Sequence, residues 1–103
     1  MDASLTHEDF FKQLNSTFTL QLDEANQLEL QLVEVTEVQL SPRQEQFSIT
    51  FRGPREVFLG QGMRPLENEA LGSFDYFIVP IRQDEQGYYY EAVFNRIRKP
   101  DAQ

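Results

Sequence analysis

Three carboxylates near the middle of the chain are the first candidates for chemistry. Glu67, Glu69 and Asp75 lie within nine residues, a spacing at which they could bind a hard cation or act as an acid/base pair. A calcium-binding loop has a denser run of oxygen ligands and a glycine at a fixed place, and this segment has neither. The segment therefore favours solvated loop charges over a metal site.

The remaining reactive side chains do not form a recognisable catalytic set. His7 is the single histidine, so no second imidazole can join it, and we expect it to be solvated. The absence of cysteine excludes disulfides, thiolate nucleophiles and thiolate metal ligands. None of the five serines lies in a nucleophile-elbow motif, and Gly60-Gln61-Gly62 is not followed by the helix that a phosphate-binding loop requires. We predict that the protein is not an enzyme and has no cofactor.

Three consecutive tyrosines, Tyr88, Tyr89 and Tyr90, suggest a platform for a ligand. Alternate side chains of a strand point to opposite faces, so at most two of the three share a face. We expect Tyr90 to fill the core and Tyr89 to face outward.

The chain is acidic, and most of the excess lies towards its N-terminal end. The 103 residues include 17 acidic and 9 basic ones, for a formal charge of −8. Residues 1–40 contain eight acidic residues and one lysine, a net charge of −7, which leaves −1 for residues 41–103. This charge opposes binding to nucleic acid and to anionic membrane surfaces, because both are recognised by clustered Lys and Arg. It favours solubility, with an acidic end that meets a basic partner as the alternative.

Targeting signals are not evident in the sequence. The N-terminal MDASLTHEDFFKQL has no basic stretch followed by an apolar run, so we predict no secretory signal. No apolar segment approaches the roughly 20 residues that a membrane-spanning helix needs. We predict a soluble, cytoplasmic protein.

The elements that must position any site begin with a short helix over residues 6–14. Thr6 can cap this helix, with Asp9 three residues later as in a capping box, and Phe10, Phe11 and Leu14 give it an apolar stripe. Residues 16–95 follow the period-two pattern of strands. Residues 96–103 form a basic tail that we expect to be frayed.

The alternation changes at two informative places. After Leu32 the apolar phase slips to Val33, which predicts a β-bulge or a sharp bend. Segment 74–81 is apolar on both faces, which predicts that it is central, lies under the helix or faces a second copy of the chain in a homo-oligomer. Pro80 cannot donate to a ladder and indicates an edge or a bulge at that end.

These signals predict one domain over residues 1–103. It is mainly β with one N-terminal helix, and its five to six strands form a strongly curled antiparallel sheet or a small β-barrel.

The loop over residues 53–62 is the candidate contact surface. Gly53 and Pro54 end a strand, and the residues around them include arginine and aromatic types that are enriched at the centres of protein interfaces. The predicted partner-binding residues are Arg52, Arg55, Phe58, Leu59 and Arg64. The predicted partner is a protein that the sequence does not identify.

Several short motifs resemble a family of small bacterial proteins of unknown function. The motifs are FRGP at 51–54, LE at 66–67, ALG at 70–72, FIVPI at 77–81 and YEAVFN at 90–95, together with LTHEDF and LELQLVEV nearer the N-terminus. The resemblance covers nearly the whole chain. In the family a His-Pro pair commonly stands where this chain has Asn68-Glu69, which weakens the idea of a catalytic histidine in that turn. The resemblance brings no activity and no site residue, and it implies only an association with phage-tail-like assemblies.

Two functions remain open at this point. The first is a non-catalytic protein-interaction or accessory module, with a link to a phage-tail-like assembly. The second is a small β-barrel that binds a small apolar or anionic ligand, with or without weak enzymatic activity. Its inward aromatic residues would be Phe18, Phe47, Phe51, Phe77, Tyr90 and Phe94. Small barrels are filled by their own side chains, so only a cavity on the order of several hundred Å³ would favour the second function.

Overall fold

One helix and seven strands follow one another along residues 5–97, the part of the chain that the computed structural model describes. The elements are α1 (His7–Lys12), β1 (Thr17–Gln21), β2 (Gln27–Val35), β3 (Gln39–Leu40), β4 (Gln44–Gly53), β5 (Gly62–Asn68), β6 (Gly72–Asp84) and β7 (Gly87–Ile97). The predicted class, mainly β with one N-terminal helix, is confirmed.

Six of the strands close into an antiparallel barrel. They follow the order β2-β1-β5-β6-β7-β4, with the short β3 beside β4, and the pairing of β2 with β4 closes the ring. The first half of strand β2 pairs with β1, and its second half pairs with β4. Its register on β4 shifts between Leu32 and Glu34, so the predicted bulge is confirmed.

Aromatic rings fill the barrel. Phe18 and Phe51 meet edge to face with centroids 4.9 Å apart, and Tyr76 lies about perpendicular to both of them. From α1, the buried Phe10 stacks on Phe94 at 5.1 Å and thereby covers one end of the barrel. Phe11, which the helix pattern places on the same apolar stripe, is exposed instead.

The N-terminal helix is fixed by hydrogen bonds at its start. The Thr6 hydroxyl accepts from the Asp9 amide at 3.1 Å, and the Asp9 carboxylate accepts from the Thr6 amide at 2.8 Å, which confirms the predicted capping box. His7 is not simply solvated, contrary to our expectation. It is half-buried, its ring meets Phe47 edge to face, and its Nε2 lies 2.8 Å from the Thr36 carbonyl, so it attaches the helix to the barrel.

The tyrosine run divides as the strand alternation requires. Tyr90 is fully buried in the core, as predicted. Tyr89 belongs to the opposite face, yet it too is buried, because the Arg82 guanidinium covers its ring at 4.1 Å from the centroid. The Tyr89 hydroxyl also donates to the Asp84 carboxylate at 2.9 Å.

Strand β7 extends further than the sequence pattern suggests. Arg96 and Ile97, assigned to the frayed tail over 96–103, are part of the strand, and the Arg96 guanidinium lies 5.2 Å from the centroid of the Phe94 ring. Residues 98–103 lie outside the described part of the chain. Within residues 5–97, no helix has the length and apolar character needed to cross a membrane.

Candidate functional site

The candidate site is the β4–β5 loop, defined here as Pro54–Gln61. It leaves the barrel at Gly53, which lies opposite Tyr88 in the ladder with β7, and it returns at Gly62. A Cβ atom on Gly53 would come within 2.8 Å of the Leu30 side chain. The glycine thus allows the chain to leave the barrel against a packed core.

The second half of the loop is anchored to the barrel. Leu59 is only 5% exposed, and its backbone amide donates to the Tyr90 hydroxyl at 2.9 Å. Arg64 donates from Nη2 to the Gly60 carbonyl at 2.9 Å. These contacts hold the loop at two successive residues. The side chain of Leu59, one of the predicted partner-binding residues, is buried in the core.

Two of the loop residues that precede Leu59 present predicted contact side chains to solvent. Phe58 is 58% exposed, although it directly precedes the buried Leu59. Its ring rests edge to face on Tyr88 with centroids 5.1 Å apart. Arg55 is exposed as well. Phe58 and Arg55 are therefore the two predicted residues whose side chains are available for a contact.

The other two predicted arginines are engaged with the chain itself. Arg52 is half-buried and donates to the side-chain carbonyls of Gln31 and Gln86, which connects β4 to β2 and to the β6–β7 turn. Arg64 is half-buried beneath the loop, and its Nε is buried with no hydrogen-bond partner among residues 5–97. The structure therefore separates the five predicted residues into an exposed pair, Arg55 and Phe58, and three whose side chains are engaged with the barrel or the loop.

Burial controls the ionisation of the tyrosines near this loop and in the core. Burial raises the pKa of Tyr90, while the hydrogen bond from the Leu59 amide acts in the opposite direction. Burial also raises the pKa of Tyr76 to about 12. A tyrosine with its ordinary pKa is already protonated at neutral pH, so the raised pKa of each hydroxyl extends the protonated range further into alkaline solution.

The three carboxylates near the middle of the chain, Glu67, Glu69 and Asp75, do not converge on one point. Asp75 on β6 lies opposite Pro65, and Glu67 on β5 lies opposite Ser73, while Glu69 is in the exposed turn between the two strands. Among the residues that the structure describes, no three His, Cys, Asp or Glu side chains form a group that could hold a metal ion.

An open groove of about 570 Å³ lies beside the β5–β6 turn. Its lining residues are Gln13, Ser16, Thr17, Thr19, Glu67, Asn68, Glu69 and Ala70. Thr17 and Thr19, which line it, alternate along β1 with the buried Phe18 and Leu20, so the groove is outside the barrel and is not the interior cavity that the ligand-binding alternative requires. Asn68 is buried, and its amide donates to the Ser16 hydroxyl and the Thr17 carbonyl while its Oδ1 accepts from the amides of Ala70 and Leu71. The polar atoms of Asn68 thus hold the turn together.

Sequence reasoning did not identify Tyr88 and Tyr90 as the supports of the loop. Their strand was recognised, but its contact with a loop that comes some 30 residues earlier in the chain has no local signal. The outer face of β6 was signalled by the two-faced apolar pattern. Phe77, which we predicted to point inward, lies on this outer face opposite Met63, and both side chains are exposed, so that prediction is wrong.

Comparison with known proteins identifies a family. A family model described as "Domain of unknown function (DUF6916)" matches residues 5–94. No curated protein and no solved structure matches the chain. The match confirms the resemblance to a family of unknown function that the short motifs indicate, and it covers most of the chain. The chain therefore belongs to the DUF6916 family.

Proposed function

We propose that this domain is a non-catalytic protein-interaction module whose β4–β5 loop contacts the partner. One observation carries the proposal. Within a single dipeptide, Leu59 is buried in the core while Phe58 is 58% exposed. The buried residue holds its neighbour in place, so an aromatic side chain is presented to solvent by backbone that is already ordered.

This arrangement lowers the entropy that binding would otherwise cost. An ordered loop does not have to be fixed when the partner arrives, and an aromatic side chain contributes a large contact area with few rotatable bonds. Phe58 rests on Tyr88, which restricts its ring further. Phenylalanine and arginine are both enriched in protein interfaces, and arginine is also enriched among the few residues whose truncation costs a complex about 2 kcal/mol or more.

Arg55, three residues before Phe58 in the same loop, supplies a positive charge. It is exposed and has no ion pair among residues 5–97. We expect the partner surface to have an apolar depression that accepts Phe58 and a carboxylate that pairs with Arg55. The proposed partner is a component of a larger bacterial assembly in the cytoplasm, with a phage-tail-like structure as the setting that the family resemblance implies.

The proposal is tested by affinity purification from lysate of the source bacterium, with identification by mass spectrometry. The wild-type domain is compared with Arg55→Glu/Phe58→Ala and with Leu40→Ala/Arg43→Glu. The second pair also changes one exposed apolar residue to alanine and one exposed arginine to glutamate. It lies elsewhere, on β3 and the turn that follows. We expect a protein that is recovered with wild type and with the control pair and is lost with the loop pair.

Two results would contradict the proposal. One is the recovery of the same proteins with all three baits. The other is a large loss of thermal stability in Phe58→Ala alone, which would place that ring in the core and not at an interface. Substitution of a side chain this exposed should change the free energy of unfolding by about 0.5 kcal/mol or less.

A further inference from the structure

The barrel is only partly paired between β6 and β7. Their ladder runs from Asp84 opposite Gly87 to Val79 opposite Glu91 and is not continued beyond that pair. A register shift between Pro80 and Arg82 marks a bulge just before the ladder ends, and bulges increase the local twist of a strand. The two strands therefore part in the half of the barrel that contains the start of β6 and the end of β7.

Where β6 and β7 part, the backbone N–H and C=O groups on the facing edge of each strand have no partner in a ladder among the described residues. Residues 74–78 of β6 pair with β5 on one side, and residues 92–97 of β7 pair with β4 on one side. Within residues 5–97, no strand pairs with the other edge of either segment. Unpaired edges of this kind are templates for the addition of another strand.

An apolar pocket of about 140 Å³ lies between the two segments. Its lining residues are Leu5, Phe10, Phe74, Asp75, Tyr76, Phe94 and Arg96. The pocket is smaller than the roughly 300–1,000 Å³ typical of small-molecule sites, and it suits a single aliphatic side chain better. The hydroxyl of Tyr76, one of the lining residues, is buried and has no hydrogen-bond partner among the described residues.

The outer surface beside the gap is apolar and bordered by acidic groups. Phe77 on β6 and Val93 on β7 are 48% and 54% exposed. Asp75 precedes Phe77 by two residues and Glu91 precedes Val93 by two, so each carboxylate shares a strand face with an exposed apolar residue. Neither carboxylate has an ion pair within the described range.

We propose that the gap between β6 and β7 binds an extended segment of a partner protein by β-strand addition, and that this segment alternates apolar and basic residues. The free strand edges supply main-chain hydrogen bonds. The pocket accepts one aliphatic side chain, and Asp75 and Glu91 pair with lysine or arginine. A second copy of this chain is a poorer occupant, because each copy carries a charge of −8. The site is separate from the β4–β5 loop and goes beyond the function proposed for it.

Three synthetic heptapeptides provide the test, each acetylated and amidated at its ends. The first alternates valine and lysine, the second is the same peptide with every second backbone amide N-methylated, and the third alternates valine and glutamate. Binding is followed by titration of the ¹⁵N-labelled full chain, with amide chemical shifts as the readout. We expect the valine–lysine peptide to shift the amide signals of residues 74–78 and 92–97. N-methylation should lower the affinity of this peptide about tenfold or more, and the glutamate peptide should not bind.

A matched pair of variants tests the electrostatic part. Asp75→Lys changes an exposed carboxylate at the gap, and Glu85→Lys makes the same change in the exposed β6–β7 turn. Asp75→Lys should lower the affinity for the valine–lysine peptide about fivefold, and Glu85→Lys should lower it less than twofold. The loop variant Arg55→Glu/Phe58→Ala should bind this peptide as wild type does, which separates the two proposals.

The proposal is overturned by any of four results. They are no binding of the valine–lysine peptide at millimolar concentration, perturbed amides that lie elsewhere on the barrel, equal affinity for the N-methylated peptide, and equal weakening by the two lysine variants.

Discussion

The hydroxyl of Tyr90 accepts a hydrogen bond of 2.9 Å from the backbone amide of Leu59, which lies 31 residues earlier in the chain. Both groups are buried, so the amide has no access to water as a substitute partner. This one bond joins strand β7 of the barrel to the β4–β5 loop. The order of the loop, and with it the presentation of Phe58, therefore depends on a side chain in the core.

Substitution of Tyr90 by phenylalanine should destabilise the domain. The ring would still fill its place, but the Leu59 amide would be left buried without an acceptor, at a cost of about 1–3 kcal/mol. Urea denaturation measures this loss. Hydrogen exchange should also accelerate more at the amides of residues 55–61 than at those of β1 or β2. Uniform acceleration over the whole barrel would contradict the local role.

Substitution of Tyr76 by phenylalanine should have the opposite effect. The Tyr76 hydroxyl is buried without a partner among residues 5–97, so its removal eliminates an uncompensated polar group. We expect the free energy of unfolding to rise by about 1 kcal/mol. The same urea experiment compares the two Tyr→Phe variants. A loss in Tyr76→Phe as large as that in Tyr90→Phe would mean that the Tyr76 hydroxyl has a stabilising partner.

The domain should lose stability in alkaline solution. Burial raises the pKa of Tyr76 from its usual 10.0 to about 12 in the folded state. Between these two pH values the unfolded chain releases a proton that the folded chain retains, so the free energy of unfolding falls as the pH rises, by up to about 1.4 kcal/mol per pH unit. Burial of Tyr90 acts in the same direction.

Thermal melts of wild type and Tyr76→Phe at pH 8, 10 and 11 measure this dependence. The variant should lose less stability than wild type between pH 10 and pH 11. Parallel curves for the two proteins would show that Tyr76 is not responsible for the loss.

Gly87 should not tolerate any side chain. Its φ of +152° is rarely adopted by other residues, and a Cβ atom there would come within 1.9 Å of the Gly53 carbonyl oxygen. We expect Gly87→Ala to cost about 3 kcal/mol or more, because the β4 and β7 backbones would have to separate. Gly60→Ala is the matched control, since no atom lies within 4 Å of its Cβ position. Equal melting temperatures for the two variants would contradict this account.

Features fixed by neighbouring residues were predictable from the sequence. The capping box depends on Thr6 and Asp9, and the bulge depends on the change of apolar phase after Leu32, so each leaves a local pattern. The alternation along β4 and β7 also identified the inward Phe51 and Tyr90 correctly.

Features fixed by distant residues were not predictable in this way. Nothing in the local pattern shows that β2 leaves β1 to close the ring on β4. Phe58 and Leu59 were expected to be exposed together. In the structure Leu59 is anchored, because its amide donates to the hydroxyl of the distant Tyr90. His7 appeared solvated because its acceptor, the Thr36 carbonyl, lies 29 residues away.

The position of β7 between β4 and β6 also determines when this domain can fold. The β4–β7 ladder can form only after β7 has been synthesised, some 40 residues after β4. The β1–β5 ladder likewise requires β5, since Leu20 pairs with Leu66. A chain emerging from the ribosome can form the β1–β2 hairpin early, but it cannot close the barrel before β7 has been synthesised. Because the closing pairs join residues far apart in the chain, refolding should take about milliseconds to seconds, as is usual for proteins dominated by non-local strand pairing.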